Sequence, residues 1–201
     1  GNDSFIMLNQ GDTIAAGLGT DTLTVTAAAI LGGLNLNLAS TTDQVVAFNG
    51  TAAAGTLTGI NNVNVIGYTG SFGAQITAAS LGSAITGTPQ TDNITGSNYA
   101  DTITATTVTT GDDDVLNLGA GNDVVKISRV AFADRDQSGN DSVFNFGSGT
   151  GDTLEFTTAG AIIDADMVQM TGVETIKLAN GTNGLVMGTI ATNTAGVVNV
   201  T

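Results

Sequence analysis

The chain has 201 residues, and its sixteen aspartates and two glutamates face only four basic residues, for a formal charge of −14. That sign argues against nucleic acid as a partner. The absence of histidine and cysteine excludes zinc peptidase sites, histidine-dependent triads and disulfide stapling. With 41% hydrophobic residues and one proline, the composition is that of a folded β protein. Acidic disorder is instead rich in Glu, Lys and Pro.

The first elements carry a period. Asp3, Asp12 and Asp21 lie nine residues apart, and each is followed two positions later by an apolar residue: Phe5, Ile14 and Leu23. Gly17-Leu18-Gly19-Thr20-Asp21-Thr22-Leu23-Thr24 follows the nonapeptide G-G-x-G-x-D-x-U-x from its second position. This pattern belongs to parallel β-solenoids that bind calcium. Nine residues suffice for one tight loop and one short strand. The loop glycines allow positive φ, and the residue U points inward while its neighbours point outward. With two units per turn, Asp3 and Asp21 become neighbours on one edge and Asp12 sits on the opposite edge. Stacked carboxylates repel without a cation between them. Calcium suits the position because it accepts carboxylate and carbonyl oxygens in a flexible shell.

Residues 27–86 lack the nonapeptide and read as wider, irregular coils. Residues 27–31 are expected to make one helical turn. Leu34-Asn35-Leu36-Asn37-Leu38 alternates as a half-buried strand does, and residues 44–48, 62–66, 75–77 and 84–86 are further short strands.

A second nonapeptide block spans residues 87–156. Asp92, Asp101, Asp114, Asp123, Asp141 and Asp152 each have an apolar residue two positions on: Ile94, Ile103, Leu116, Val125, Val143 and Leu154. Leu118-Gly119-Ala120-Gly121-Asn122-Asp123 is close to consensus, whereas Gly96-Ser97-Asn98-Tyr99-Ala100-Asp101 lacks the second loop glycine. Asp112-Asp113-Asp114 places three carboxylates in one loop, which favours a metal over a bare acidic turn. Asp134-Arg135-Asp136-Gln137-Ser138-Gly139 has calcium-loop spacing, but Asn145 stands where an EF-hand needs its bidentate glutamate. The expected metal set is Asp3, Asp12, Gly17, Gly19, Asp21, Asp92, Asp101, Asp112, Asp113, Asp114, Gly119, Gly121, Asp123, Asp134, Asp136, Asp141, Gly149 and Asp152, holding several calcium ions.

Residues 157–201 again read as wide coils, with one helical turn expected over 164–168. Leu57-Thr58-Gly59-Ile60-Asn61-Asn62-Val63-Asn64-Val65 is echoed by Met170-Thr171-Gly172-Val173-Glu174-Thr175-Ile176-Lys177-Leu178. Two copies of one plan follow: nonapeptide coils, then wider coils ending in a shared rung. The expected whole, residues 1–201, is a single all-β, right-handed parallel β-helix or β-roll segment of a longer protein, with blocks 1–26 and 87–156 alternating with 27–86 and 157–201.

The nonapeptides resemble the RTX (repeats-in-toxin) family. The Thr-Gly-Val-Glu-Thr-Ile-Lys-Leu rung in its Thr/Ala/Gly/Asn-rich setting resembles the calcium-dependent surface-layer proteins of Gram-negative bacteria. The resemblance implies type I secretion, folding in extracellular calcium, and assembly with neighbouring copies at the bacterial cell surface, with cell-surface polysaccharide as a further partner. No uninterrupted apolar run reaches the roughly 18 residues of a membrane helix, so membrane insertion is not expected, and neither is catalysis within these residues. Two alternatives remain. One is an adhesin for carbohydrate or ice, using Thr22-Leu23-Thr24-Val25-Thr26 and Thr102-Ile103-Thr104-Ala105-Thr106. The other is an accessory calcium module of a secreted enzyme.

Overall fold

A computed structural model describes residues 1–26, 32–48, 50, 55–65, 70–106, 113–133, 142–188 and 199–201. The fold is all-β. Its largest sheet has nine strands, in the order Ser4–Met7, Asp21–Val25, Ile60–Asn64, Ala84–Thr86, Thr102–Thr104, Val124–Ile127, Thr153–Phe156, Thr175–Lys177 and Asn199–Val200. All its neighbouring strands run parallel. A second sheet has seven strands, in the order Met170–Thr171, Val143–Asn145, Val115–Asn117, Asn93–Thr95, Ala74–Thr77, Leu34–Asn37 and Val45–Phe48. From Ile60 to Phe156 the chain places successive strands in the two sheets alternately.

The alternation of side chains explains why these short runs become strands. Asp21–Val25 alternates buried and half-buried positions throughout, and Thr153–Phe156 does the same. Inward residues then align in register. In the nine-stranded sheet Leu23, Val63, Ile85, Ile103, Val125, Leu154 and Ile176 form one column. In the seven-stranded sheet Leu36, Ile76, Ile94, Leu116, Phe144 and Met170 form another. Every one of these side chains is buried in a single apolar core. Burying each contributes about 1.5–3 kcal/mol, so the stack is held by its interior as well as by its strand hydrogen bonds.

Three local features depart from the sequence-based expectation. Val45–Phe48 pairs antiparallel with Leu34–Asn37. The buried Gln44 fixes this return, because its Nε2 donates to the Leu38 and Ile60 carbonyls at 2.8 Å each and its Oε1 accepts the Ile60 amide at 2.9 Å. The next strand after that of Asp123 in the nine-stranded sheet starts at Thr153, so the neighbour of Asp123 is Asp152, 29 residues on, where two nine-residue units predict eighteen. Val143 is not the inward residue of its strand: Phe144 is buried and pairs with Leu116, while Val143 is half-buried. A one-residue slip exchanges the faces of a strand. Here it is set by a short helix, Arg129–Ala133, whose Phe132 stacks edge-on against Phe156 at 5.0 Å and meets Phe144 at 6.4 Å.

Residues 164–168 behave as expected, with a 3-10 turn over Asp164–Met167. The turn expected over 27–31 lies outside the described residues. No helix among the described residues is long and apolar enough to cross a membrane.

Candidate metal centre

The strands of each sheet begin at one edge, and the aspartates gather there. The first amide of a strand needs an acceptor beyond the regular ladder. In this chain a carboxylate one coil further on supplies it. The Asp3 amide donates to Asp21 Oδ1 at 2.7 Å. Along the same edge Ser83 donates to Asp101 Oδ1 (2.6 Å), Asp101 to Asp123 Oδ1 (2.7 Å), and Asp123 to Asp152 Oδ1 (2.7 Å). The edge of the seven-stranded sheet repeats the device: Ala74 donates to Asp92 Oδ1 (2.7 Å) and Asp92 to Asp114 Oδ1 (2.8 Å). Bonds of this kind, with an ionised acceptor, are roughly twice as strong as neutral ones. The eighteen-residue neighbours Asp3 and Asp21 thus meet as the spacing predicts. Asp21, Asp92, Asp101, Asp114, Asp123 and Asp152 are all buried.

The second carboxylate oxygen separates two kinds of loop. In loops that depart from the nonapeptide, the loop itself engages it. Thr88 N–H donates to Asp92 Oδ2 at 2.8 Å, and Ser97 N–H donates to Asp101 Oδ2 at 2.7 Å. In the glycine-rich loops no donor meets it with full hydrogen-bond geometry: Asp21 Oδ2, Asp123 Oδ2 and Asp152 Oδ2 are buried without one, although the Gly149 amide still acts on the Asp152 carboxylate. These loops turn through left-handed glycines, Gly17 and Gly19 before Asp21, and Gly119 and Gly121 before Asp123. Leaving a buried charged oxygen unmatched is costly, so each of these positions calls for a proton or a cation.

Gly149 shows the donor set most clearly. A methyl group built on its Cα would lie 2.5 Å from both Asp152 Oδ1 and Oδ2 and would press on the Gly121 carbonyl oxygen. Gly149 also lacks the positive φ of its neighbours, so a side chain is excluded by these oxygens rather than by the backbone. Both oxygens of one carboxylate and a carbonyl from the preceding coil therefore crowd one side of the Gly149 Cα. Hard oxygen donors of this kind are the ones calcium takes. Among the described residues no three acidic side chains converge on one point, so backbone carbonyls must complete any shell.

The electrostatics agree with the geometry. Burial pushes the Asp123 carboxyl up to about 6, and the charges of Asp101 and Asp152 add to the effect. Burial also raises Asp101 and Asp152, the latter helped by the charge of Glu174. For a carboxyl raised in the folded state, stability is full below the ordinary value of 3.8 and is lost as pH rises through the folded value. In calcium-free, metal-scrubbed buffer, β structure followed by circular dichroism is therefore expected to increase as pH falls from 7 towards 4. A decrease over that range would contradict the assignment of buried, unmatched carboxylates.

The remaining candidates are placed differently. Asp3 is exposed. Asp12 is held within its own turn, accepting the Leu8 and Asn9 amides at 2.8 and 3.1 Å on Oδ2 and the Asn9 side-chain amide on Oδ1. Those amides keep its carboxyl below the usual range. Its strand, Ile14–Ala15, pairs with Leu57–Thr58 outside both large sheets. The Asp113 amide donates to Thr91 Oγ1 at 3.2 Å, while Asp114 turns into the ladder. Asp112, Asp134, Asp136 and Asp141 lie outside the described residues. The rung next to Asp114 is occupied by Ser142, whose Oγ accepts the Asp114 amide at 3.0 Å.

Two ladder positions were not singled out from sequence. Asn61 Oδ1 accepts the Asp21 amide and Glu174 Oε2 accepts the Asp152 amide, both at 2.8 Å. Their signal was the echo of residues 57–65 in 170–178, where Asn61 and Glu174 align. At the ends of the threonine rows, Thr26 Oγ1 donates to the Met7 carbonyl, and Thr106 Oγ1 to the Gly87 and Thr88 carbonyls. Comparison with family models, curated proteins and solved structures finds no match to this chain.

Proposed function

We propose that the chain is a calcium-dependent structural segment of a secreted cell-surface protein of the surface-layer type. In this reading it is a right-handed parallel β-roll in which ions drive folding and assembly. The observation that carries it is the contrast between loops. Those closest to the RTX nonapeptide keep a buried, unengaged carboxylate oxygen, and those that depart from it do not. The alternation of parallel strands between the two sheets from Ile60 to Phe156 supports the same reading.

The residues that would hold the ions are Asp21, Asp123 and Asp152, together with carbonyls of the glycine-rich loops such as Gly121. Bound calcium supplies charge neutralisation between stacked carboxylates. The chain's own residues set the spacing: strand pairing fixes the distance between coils, and each Oδ1 is oriented by an amide of its neighbour. Extracellular calcium modules work at about 10⁻⁴–10⁻³ M, so entry into the medium would itself switch on folding. Lateral contact with neighbouring copies would then build a surface layer.

Titration with EGTA at neutral pH, followed by circular dichroism, tests this. Loss of β signal on chelation and its return on adding calcium are expected. A spectrum unchanged by chelation would refute the calcium-driven reading.

A further inference from the structure

The aspartate ladder ends in two places, and the two endings are not equivalent. Gly59 and Gly172 share a φ of +79°. Each packs on the first loop glycine of the coil before it, Gly59 on Gly17 and Gly172 on Gly147. Two residues later, Asn61 Oδ1 and Glu174 Oε2 accept the amides of Asp21 and Asp152, each at 2.8 Å. The two side chains therefore hold the same place, one rung beyond the last glycine-rich loop of each block.

Hydrogen bonding at that place requires only an acceptor, and an amide oxygen serves as a carboxylate does. The difference between the endings is one negative charge. It stands beside Asp152, which is buried and whose Oδ2 has no partner. Placing a second carboxylate next to an unmatched buried one is unfavourable unless a cation joins them. At the other ending the neutral Asn61 stands beside Asp21, whose Oδ2 is equally buried and unmatched.

We propose that Glu174 is a carboxylate ligand to a divalent cation held with Asp152, so that the second block closes on a dicarboxylate site and the first on a weaker, amide-closed one. This rests on the calcium reading above. Ligand charge count is a main control of calcium affinity in oxygen-donor sites. The two blocks therefore fill at different calcium concentrations, the second before the first. The charge also selects a divalent ion over a monovalent one, because two carboxylates demand matching positive charge.

The test is calorimetric calcium titration of the whole chain, unaltered and as Glu174→Gln, Asn61→Asp and Asp152→Asn. Glutamine keeps the acceptor for the Asp152 amide and removes only the charge, so the fold survives. Circular dichroism in saturating calcium checks this. Glu174→Gln is expected to weaken one site by about tenfold, and Asn61→Asp to strengthen one by about the same factor. If Glu174→Gln titrates like the unaltered chain while Asp152→Asn loses a site, Glu174 is a hydrogen-bond acceptor only. The inference is then overturned and the calcium reading stands. If Asn61→Asp brings no gain, the contrast between the blocks is overturned. If the unaltered chain takes up no calcium, both the inference and the reading beneath it fall.

Discussion

Asp123→Asn is expected to act in opposite directions with and without calcium. Asparagine keeps Oδ1 as the acceptor for the Asp101 amide, so the rung survives. In calcium-free buffer at neutral pH the wild-type carboxylate is buried, unmatched on Oδ2 and flanked by the charges of Asp101 and Asp152. Removing its charge relieves that burden and raises stability by on the order of 1 kcal/mol. With calcium bound the same substitution deletes a ligand charge and weakens the ion by about tenfold or more. Denaturant unfolding in EGTA and in millimolar calcium reads both signs. Asp43→Asn serves as the comparison. Asp43 Oδ1 accepts the Val45 and Leu57 amides at 3.0 and 3.1 Å in an ordinary turn, and its substitution leaves calcium uptake unchanged. Destabilisation by Asp123→Asn in both buffers would mean that the carboxylate is a structural acceptor and nothing more.

Gly149→Ala is the second substitution with a large effect. Alanine suits the backbone at this position, since the glycine does not use a left-handed φ. Its methyl would enter the space bounded by the Asp152 carboxylate and the Gly121 carbonyl. Over-packing at a closed site costs about 1–3 kcal/mol, and the methyl displaces the Asp152 carboxylate from its place. Calorimetry is expected to show at least one calcium site fewer than wild type. At Gly151 the atoms nearest an added methyl belong to the Asn122 side chain, at 3.1 Å, and not to a carboxylate or a carbonyl. Gly151→Ala is therefore expected to keep full stoichiometry. Equal losses at both positions would remove the special status of Gly149.

The core was legible in the sequence wherever loop and strand lengths stayed regular. Leu23, Ile94, Ile103, Leu116, Val125 and Leu154 follow their aspartates by two residues and are buried as that spacing requires. The rule broke at Val143, because the segment after Ile127 adds a helix and its Phe132 draws Phe144 inward. A period says nothing about how an insertion resets register. It also cannot tell an aspartate that joins a ladder from one that caps its own turn. Asp12 has the spacing but follows Asn9-Gln10-Gly11, a turn that folds back and supplies its own donors. Asn61 and Glu174 hold ladder positions without the nonapeptide, so only the echo between residues 57–65 and 170–178 marks them in the sequence, and their hydrogen bonds place them on the ladder. The antiparallel strand Val45–Phe48 depended on Gln44, whose buried hydrogen bonds have no signature in hydrophobic pattern.

The most direct test of buried carboxylates as ion sites is anomalous difference density from crystals grown in millimolar calcium. A peak is expected beside the Asp152 carboxylate, with oxygens at about 2.3–2.6 Å. Density for water alone beside that carboxylate would contradict it.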